Sequence, residues 1–169
     1  MTPNSVIVTD YDPQWPRIFE ALRDRVLAAL GELAVQIEHV GSTSVPGLAA
    51  KPIVDMDVVI ASESNLSETI SRLDAIGYKH QGDLGIAGRE AFTQPSGLPE
   101  HHLYVCVNGA DELRRHIAFR DYLRSHPDDA RQYSEVKRAA AQQFGNDRLA
   151  YMEAKRQVVE AILSRALEA

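Results

Sequence analysis

The stretch KPIVDMDVVI, residues 51–60, limits what this chain can fold into more than any other segment. Its β-branched residues favour an extended strand. Side chains alternate across a strand, so Val54, Met56, Val58 and Ile60 share one face and read as a core-facing set. Asp55 and Asp57 share the opposite face with Ile53 and Val59. A face left in water would continue polar, and the two apolar neighbours break that pattern. The expectation is therefore a strand whose acidic face is partly covered. Two carboxylates set close together under cover repel, and desolvation adds to the cost. A divalent cation removes both penalties, and hard oxygen donors of this kind suit Mg²⁺. Taken alone, the Asp-x-Asp spacing fits an ordinary solvated strand better.

Just upstream, the alternating segment AVQIEHV (34–40) reads as a strand and runs directly into Gly41-Ser42-Thr43-Ser44. Glycine lets the backbone approach a ligand closely. Successive N–H groups form an anion-binding nest, and hydroxyls add donors. SVPGL is expected to begin a short helix, whose N-terminus would favour phosphate. A Ser/Thr helix cap without a ligand accounts for the turn alone equally well. The Walker pattern is absent. The combination of strand, glycine–serine turn, short helix and Asp-x-Asp strand is far more specific than any of its parts.

Around this unit the elements mix. Residues 5–10 read as a short strand or extended lead-in. Residues 12–30 read as a helix, with Asp12 as cap, Pro13 or Pro16 in the first turn, and Gly31 as the stop. Ile18, Leu22, Val26 and Ala29 give that helix an apolar face. A helix over 63–77 ends at Gly77. Residues 78–80 read as a short edge strand. Strands at 87–95 and 101–107 are joined by a turn with Pro95, Gly97 and Pro99. From Asp111 onward three helices follow, broken at Pro127 and Gly145. The predicted fold is α/β (α+β): a mixed β-sheet core over 1–110, with C-terminal helices over 111–169 packed on it as one compact unit.

Composition excludes several classes. The chain has 169 residues and a formal net charge of −6. That balance argues against generic nucleic acid binding, which needs clustered Lys and Arg. A single cysteine, Cys106, rules out an internal disulfide framework and fits a reducing, cytoplasmic setting. Cys106 lies in an apolar strand and reads as a small core residue. The N-terminus lacks the pattern of a signal peptide, and no membrane helix is expected.

The stretch HVGSTSVPGLAAKPIVDMDV resembles the signature of the GrpB family, and the resemblance continues through GREAF, HHLYVC, RRHIAFRDYLRSHP and the pair Tyr133 and Lys137. It covers nearly the whole chain. The family has the nucleotidyltransferase fold. The resemblance implies that Gly41 and Ser42, helped by Ser44, hold the triphosphate of a nucleoside triphosphate. It implies that Asp55 and Asp57 bind Mg²⁺. A third carboxylate on a later strand usually completes such a site. The corresponding strand, HHLYVCV, has none: His102 is the best-placed substitute, and Glu100 sits at the strand edge. An imidazole can accept a proton but is a poor Mg²⁺ ligand. The implied activity is Mg²⁺-dependent transfer of a nucleotidyl group to an unknown small-molecule or protein acceptor. The alternatives are a catalytically inactive nucleotide-binding or accessory module, and a metal-dependent phosphohydrolase. Relatives fused to dephospho-CoA kinase imply a link to coenzyme A metabolism.

Other residues carry two readings each. Lys51 can neutralise a phosphate or pair with a surface acid. Arg89 can grip phosphate or form an edge-strand ion pair. Tyr133 with Lys137, and Tyr151 with Lys155, are four apart on helices. Each pair can reach a nucleotide, or the tyrosine can pack while the lysine snorkels to water. Arg120 and Arg124 share a helical face that suits either a polyphosphate or an ordinary solvated surface with Asp111, Glu112 and Asp121 as partners. A zinc site from His39, His101 and His102 is conceivable but lacks ligand spacing.

Overall fold

The computed structural model describes residues 5–168. Its strands are β1 (Gln36–Val40), β2 (Val54–Ile60), β3 (Lys79–Gly82), β4 (Arg89–Thr93) and β5 (His101–Val107). They form one mixed sheet in the order β1-β2-β5-β4-β3. Only β2 and β5 run parallel; the other neighbours are antiparallel. The Asp-x-Asp segment is thus an inner strand, hydrogen-bonded on both sides.

The first face of the sheet carries the main core. Val54, Met56, Val58 and Ile60 are all buried there, with Leu103 and Val105 from β5. The covering helices are α1 (Trp15–Leu30) and α2 (Leu66–Ala75). The buried stripe of α1 is Trp15, Phe19, Leu22, Val26 and Leu30. The stripe is therefore turned slightly from the one expected, with Trp15, Phe19 and Leu30 in place of Ile18 and Ala29. Gly31 ends α1 in a conformation with φ 56°, which L side chains rarely adopt. Gly77 follows α2 with φ 98°, and a Cβ there would lie 2.8 Å from Pro95 Cβ.

The second face holds the acids. It is covered by α3 (Asp111–Ser125), α4 (Pro127–Phe144) and α5 (Arg148–Glu168). Leu113 of α3 packs on Val59 and Cys106. A second cluster joins Leu123, Ala130, Tyr133 and Ile162 to Val45 and Leu48, just after the glycine–serine turn. The acidic face of β2 is therefore partly covered by helices, with Asp57 and Val59 buried and Asp55 half-open, in line with the two apolar neighbours.

Three local expectations change. Residues 5–10 make only an isolated bridge, Thr9 to Ala50, and no strand. The short helix expected to begin with SVPGL (44–48) does not form, and the chain instead makes a single 3₁₀ turn just before it, Ser42–Ser44. Pro46 removes a donor and Gly47 turns to φ 83°, so no helix can propagate. The edge strand expected at 78–80 runs instead over Lys79–Gly82. No helix among the described residues is long and apolar enough to cross a membrane.

Leu103 is 1% exposed at the centre of the main core. Leu103→Ala is expected to destabilise the protein by about 2–5 kcal/mol, read by chemical denaturation.

Candidate functional site

The site begins where β1 ends. Gly41 has φ 74° and ψ −176°. A Cβ built on it would sit 2.2 Å from Asp55 Oδ2. Only glycine lets the turn lie against that carboxylate. The turn's own bonds use the N–H groups of Ser44 and Val45, which donate to Gly41 O and Ser42 O. The Ser44 hydroxyl also donates to Gly41 O. The N–H groups of Ser42 and Thr43 are left over by this pattern, as in any first turn of a helix.

Strand register places the acids. Asp55 lies opposite His102 of β5, and Asp57 opposite Tyr104. His102 Nδ1 is 2.8 Å from Asp55 Oδ1. Asp57 is 0% exposed. His116 of α3 reaches down to it, Nδ1 to Oδ2 at 2.7 Å. On its other side His116 Nε2 lies 3.0 Å from Glu112 Oε1. Burial raises the Asp57 pKa, and the His116 bond works against that rise. Burial alone would lower the His116 pKa, but the bond to Asp57 and the charges of Asp57 and Glu112 leave it raised. Asp57 Oδ1 is buried without a hydrogen-bond partner.

The third acid is absent from its expected place. β1 does bring Glu38 opposite Asp57. Its carboxylate, however, is engaged by Arg120 of α3. Among the described residues no group of three or more His, Cys, Asp or Glu could hold a metal ion. Asp55 and Asp57 each have one oxygen taken by a histidine and one turned elsewhere. The partnerless Asp57 Oδ1 is the kind of atom a cation would satisfy. With phosphate oxygens completing the shell, two carboxylates are a sufficient protein contribution for Mg²⁺.

A cleft of about 730 Å³ opens between the turn, the second sheet face and the three C-terminal helices. Gly41, Ser42, Lys51, Asp55, His102 and Lys137 all line it. Lys137 is 2% exposed, and its Nζ donates to Ser42 Oγ at 2.7 Å. Lys51 and Lys155 lie over the Tyr151 ring, at 5.7 and 5.0 Å from its centroid. Among the described residues none of these three lysines forms an ion pair with a carboxylate. Burial, then the charges of Lys155 and Lys51, push the Lys137 pKa well below the usual lysine value. Burial and the Lys51 charge bring Lys155 down to about 8. Burial also lowers Lys51, with Arg148 adding to the effect. The attraction of Asp55 does not offset this crowding, and cations held together without an ion-paired carboxylate gain once an anion enters.

The remaining predicted residues fall outside the cleft wall. Ser44 is buried and braces the turn. Asp57 lies behind His116. Arg89 stacks on Tyr104, with its carbon Cζ 4.3 Å from the ring centroid and its Nε buried without a partner. Arg120 and Arg124 face neither solvent alone nor a ligand: both donate to backbone carbonyls beside the turn, those of His39 and Ser44. The conceivable zinc histidines are dispersed. His39 meets Thr43, His101 meets Tyr78 and Pro99, and His102 meets Asp55. Burial pushes the Cys106 thiol up to about 12, so it is an inert core group. Lys155 does not snorkel to water but turns into the cleft. Glu112 and His116 were not singled out from the sequence. Their i, i+4 spacing, continued by Arg120, was the available signal.

Residues 5–165 match the family model described as GrpB protein. The chain is 35% identical over 145 residues to the UPF0157 protein YqkA of Bacillus subtilis, covering 86% of this chain and 42% of that one. It thus spans less than half the length of that relative. It is 27% identical over 169 residues to a dephospho-CoA kinase of Mycolicibacterium paratuberculosis, covering 85% of this chain and 42% of that one. Among solved structures, GrpB from Enterococcus faecalis superposes with TM-score 0.87 at 34% identity, over 96% of this chain and 98% of that one. The Cid1 poly(U) polymerase with MgGTP bound superposes with TM-score 0.54 at 16% identity, over 77% and 42%. That last likeness shows the nucleotidyltransferase fold alone.

Two outcomes follow from the site geometry. Gly41→Ala is expected to destabilise the protein by about 1–3 kcal/mol in denaturant unfolding, through strain at positive φ and the clash with Asp55. The lysine cluster also sets a pH dependence. A lysine whose folded pKa is depressed binds fewer protons folded than unfolded, so stability rises with pH. For Lys155 the rise starts near its folded value of about 8 and runs toward 10.5. Buried tyrosines such as Tyr151, raised to about 12, act in the opposite sense once the unfolded tyrosine titrates near 10. Melting scans between about pH 8 and 9.5 should therefore show a rise that is smaller in Lys155→Met.

Proposed function

This chain belongs to the GrpB family, and we propose that its cleft binds the triphosphate of a nucleotide and transfers a nucleotidyl group to an acceptor. The observation that carries this reading is the unpaired cluster of Lys51, Lys137 and Lys155 beside the glycine–serine turn. Lys51, Lys137 and Lys155 line the cleft together with Ser42 and Thr43, whose N–H groups the turn leaves unused. A single phosphate would leave much of that charge unanswered, whereas a polyphosphate answers it. Lys137 already holds Ser42 Oγ, so it is placed to meet the same phosphate that the turn meets.

Asp55 and Asp57 are the residues that would hold Mg²⁺. When bound, the ion would neutralise phosphate charge and orient the leaving pyrophosphate. His102 fixes one oxygen of Asp55, and His116 fixes one of Asp57, which sets the direction of the remaining oxygens. Helices α3 and α5 wall the cleft over the sheet. The dephospho-CoA kinase relative supports an acceptor or partner in coenzyme A metabolism. A nucleotide ligand and a buried, inert Cys106 fit action in the cytoplasm.

A second reading has its own support. Asp57 is sealed behind His116, β5 supplies no third acid, and the nearby Glu38 of β1 is bound to Arg120. A nucleotide-binding module without transfer chemistry would look the same. Calorimetric titration of ATP, GTP, CTP and UTP, with and without Mg²⁺, tests the binding that both readings share. Mg²⁺-dependent binding, weakened about tenfold or more in Asp55→Asn and in Lys137→Met, is the expected result. Equal heats in wild type and both variants would overturn it. Release of pyrophosphate with an acceptor panel separates transfer from the inactive module, and release of phosphate would indicate hydrolysis.

A further inference from the structure

The phosphate turn is held from behind, by groups that never touch the cleft. His39, the penultimate residue of β1, is 8% exposed. Its ring stacks on Phe19 of α1, centroids 4.7 Å apart and planes 10° from parallel. Its Nε2 lies 2.9 Å from Thr43 Oγ1. Burial lowers its pKa to about 4, so the ring is neutral near pH 7 and places no charge behind the turn. From the other side, Arg124 of α3 donates Nε to Ser44 O at 2.9 Å. One helical turn earlier, Arg120 donates Nη1 to His39 O at 3.1 Å and is itself held by Glu38. Thr43 and Ser44 are thus tied to β1, α1 and α3 at once. Neither His39 nor Arg124 lines the cleft.

We propose that His39 and Arg124 are positioning residues for polyphosphate binding, acting through Thr43 and Ser44 rather than on the ligand. This inference rests on the phosphate reading of the cleft. The physical reason is preorganisation. A 3₁₀ turn of three residues has too few bonds of its own to stay in one shape. If it were loose, binding would have to order it, and affinity would fall by that amount. Fixing the Thr43 hydroxyl and the Ser44 carbonyl fixes the peptide planes between them. The leftover N–H groups of Ser42 and Thr43 then meet phosphate without rearrangement.

The test uses His39→Phe, which keeps a ring on Phe19 and loses the bond to Thr43. It also uses Arg124→Met, which loses the donor, and Arg124→Lys, which keeps one. Two readouts are taken on folded protein: amide hydrogen exchange at Ser44 and Val45 without ligand, and calorimetric affinity for inorganic tripolyphosphate and ATP with Mg²⁺. Exchange is expected to rise about tenfold and affinity to fall about three- to tenfold in His39→Phe and Arg124→Met. Arg124→Lys is expected to recover part of both. Unchanged exchange overturns the inference, whether or not the wild type binds. Faster exchange with unchanged affinity also overturns it. A wild type that binds neither probe, with exchange still faster in the variants, overturns the phosphate reading while supporting the brace on the turn. Should His39→Phe not fold, the Arg124 pair, at an exposed position, carries the same outcomes.

Discussion

The buried carboxylate of Asp57 is the constraint on which the rest of the site depends. A fully buried acid must be answered by a partner, since leaving it alone is among the costliest states a core can hold. The answer is His116, and His116 is on α3. That one contact sets the rotation of α3 on the sheet. Once it is set, Arg120 and Arg124 fall one and two turns further along the same face, against β1 and the glycine–serine turn. Leu113 falls one turn before, against Val59 and Cys106. A helix with little amphipathic character is thus oriented by polar contacts at successive turns, not by a greasy stripe.

The cleft that results holds charges of both signs. Its floor on the sheet carries Asp55 with His102, and Lys51, Lys137 and Lys155 gather around it and the turn. The net charge of −6 gives no sign of this local lysine cluster. Keeping unpaired lysines buried lowers their pKa values, which is a cost carried by the free protein. Structures hold such strain where a ligand relieves it. The proposal of a polyphosphate ligand rests on the position of the cluster beside Ser42 rather than on its mere charge.

Much of this was legible in residue order. The alternation in 51–60 placed the core face of β2 residue by residue, and Ile53 and Val59 correctly signalled a covered acidic face. The glycine at 41 was read as a close-approach residue, though the thing it approaches is Asp55. The resemblance carried the fold, and Gly41, Ser42, Lys51, Asp55, His102 and Lys137 do meet in one cleft. What residue order left open had a shared cause. Arg89 was weighed between a phosphate and an edge-strand ion pair, and Arg120 and Arg124 between a polyphosphate and a solvated face with acidic partners; the fold adds an aromatic face for Arg89 and backbone carbonyls for the other two. Long side chains reach several ångströms, so their partners depend on which element lies overhead.

The sequence by itself determined the strand with its two acids, the tight turn before it and the order of helices and strands. Those depend on short-range rules: alternation, glycine's freedom at positive φ and the breaking power of proline. Only the tertiary structure decided that Asp57 is sealed by His116, that Glu38 is spent on Arg120, and that Lys155 turns inward beside Lys51 and Lys137. These pairings join residues up to about a hundred positions apart in the chain. They follow from how α3, α4 and α5 settle on the sheet, where burial makes each charge seek whatever partner lies within reach.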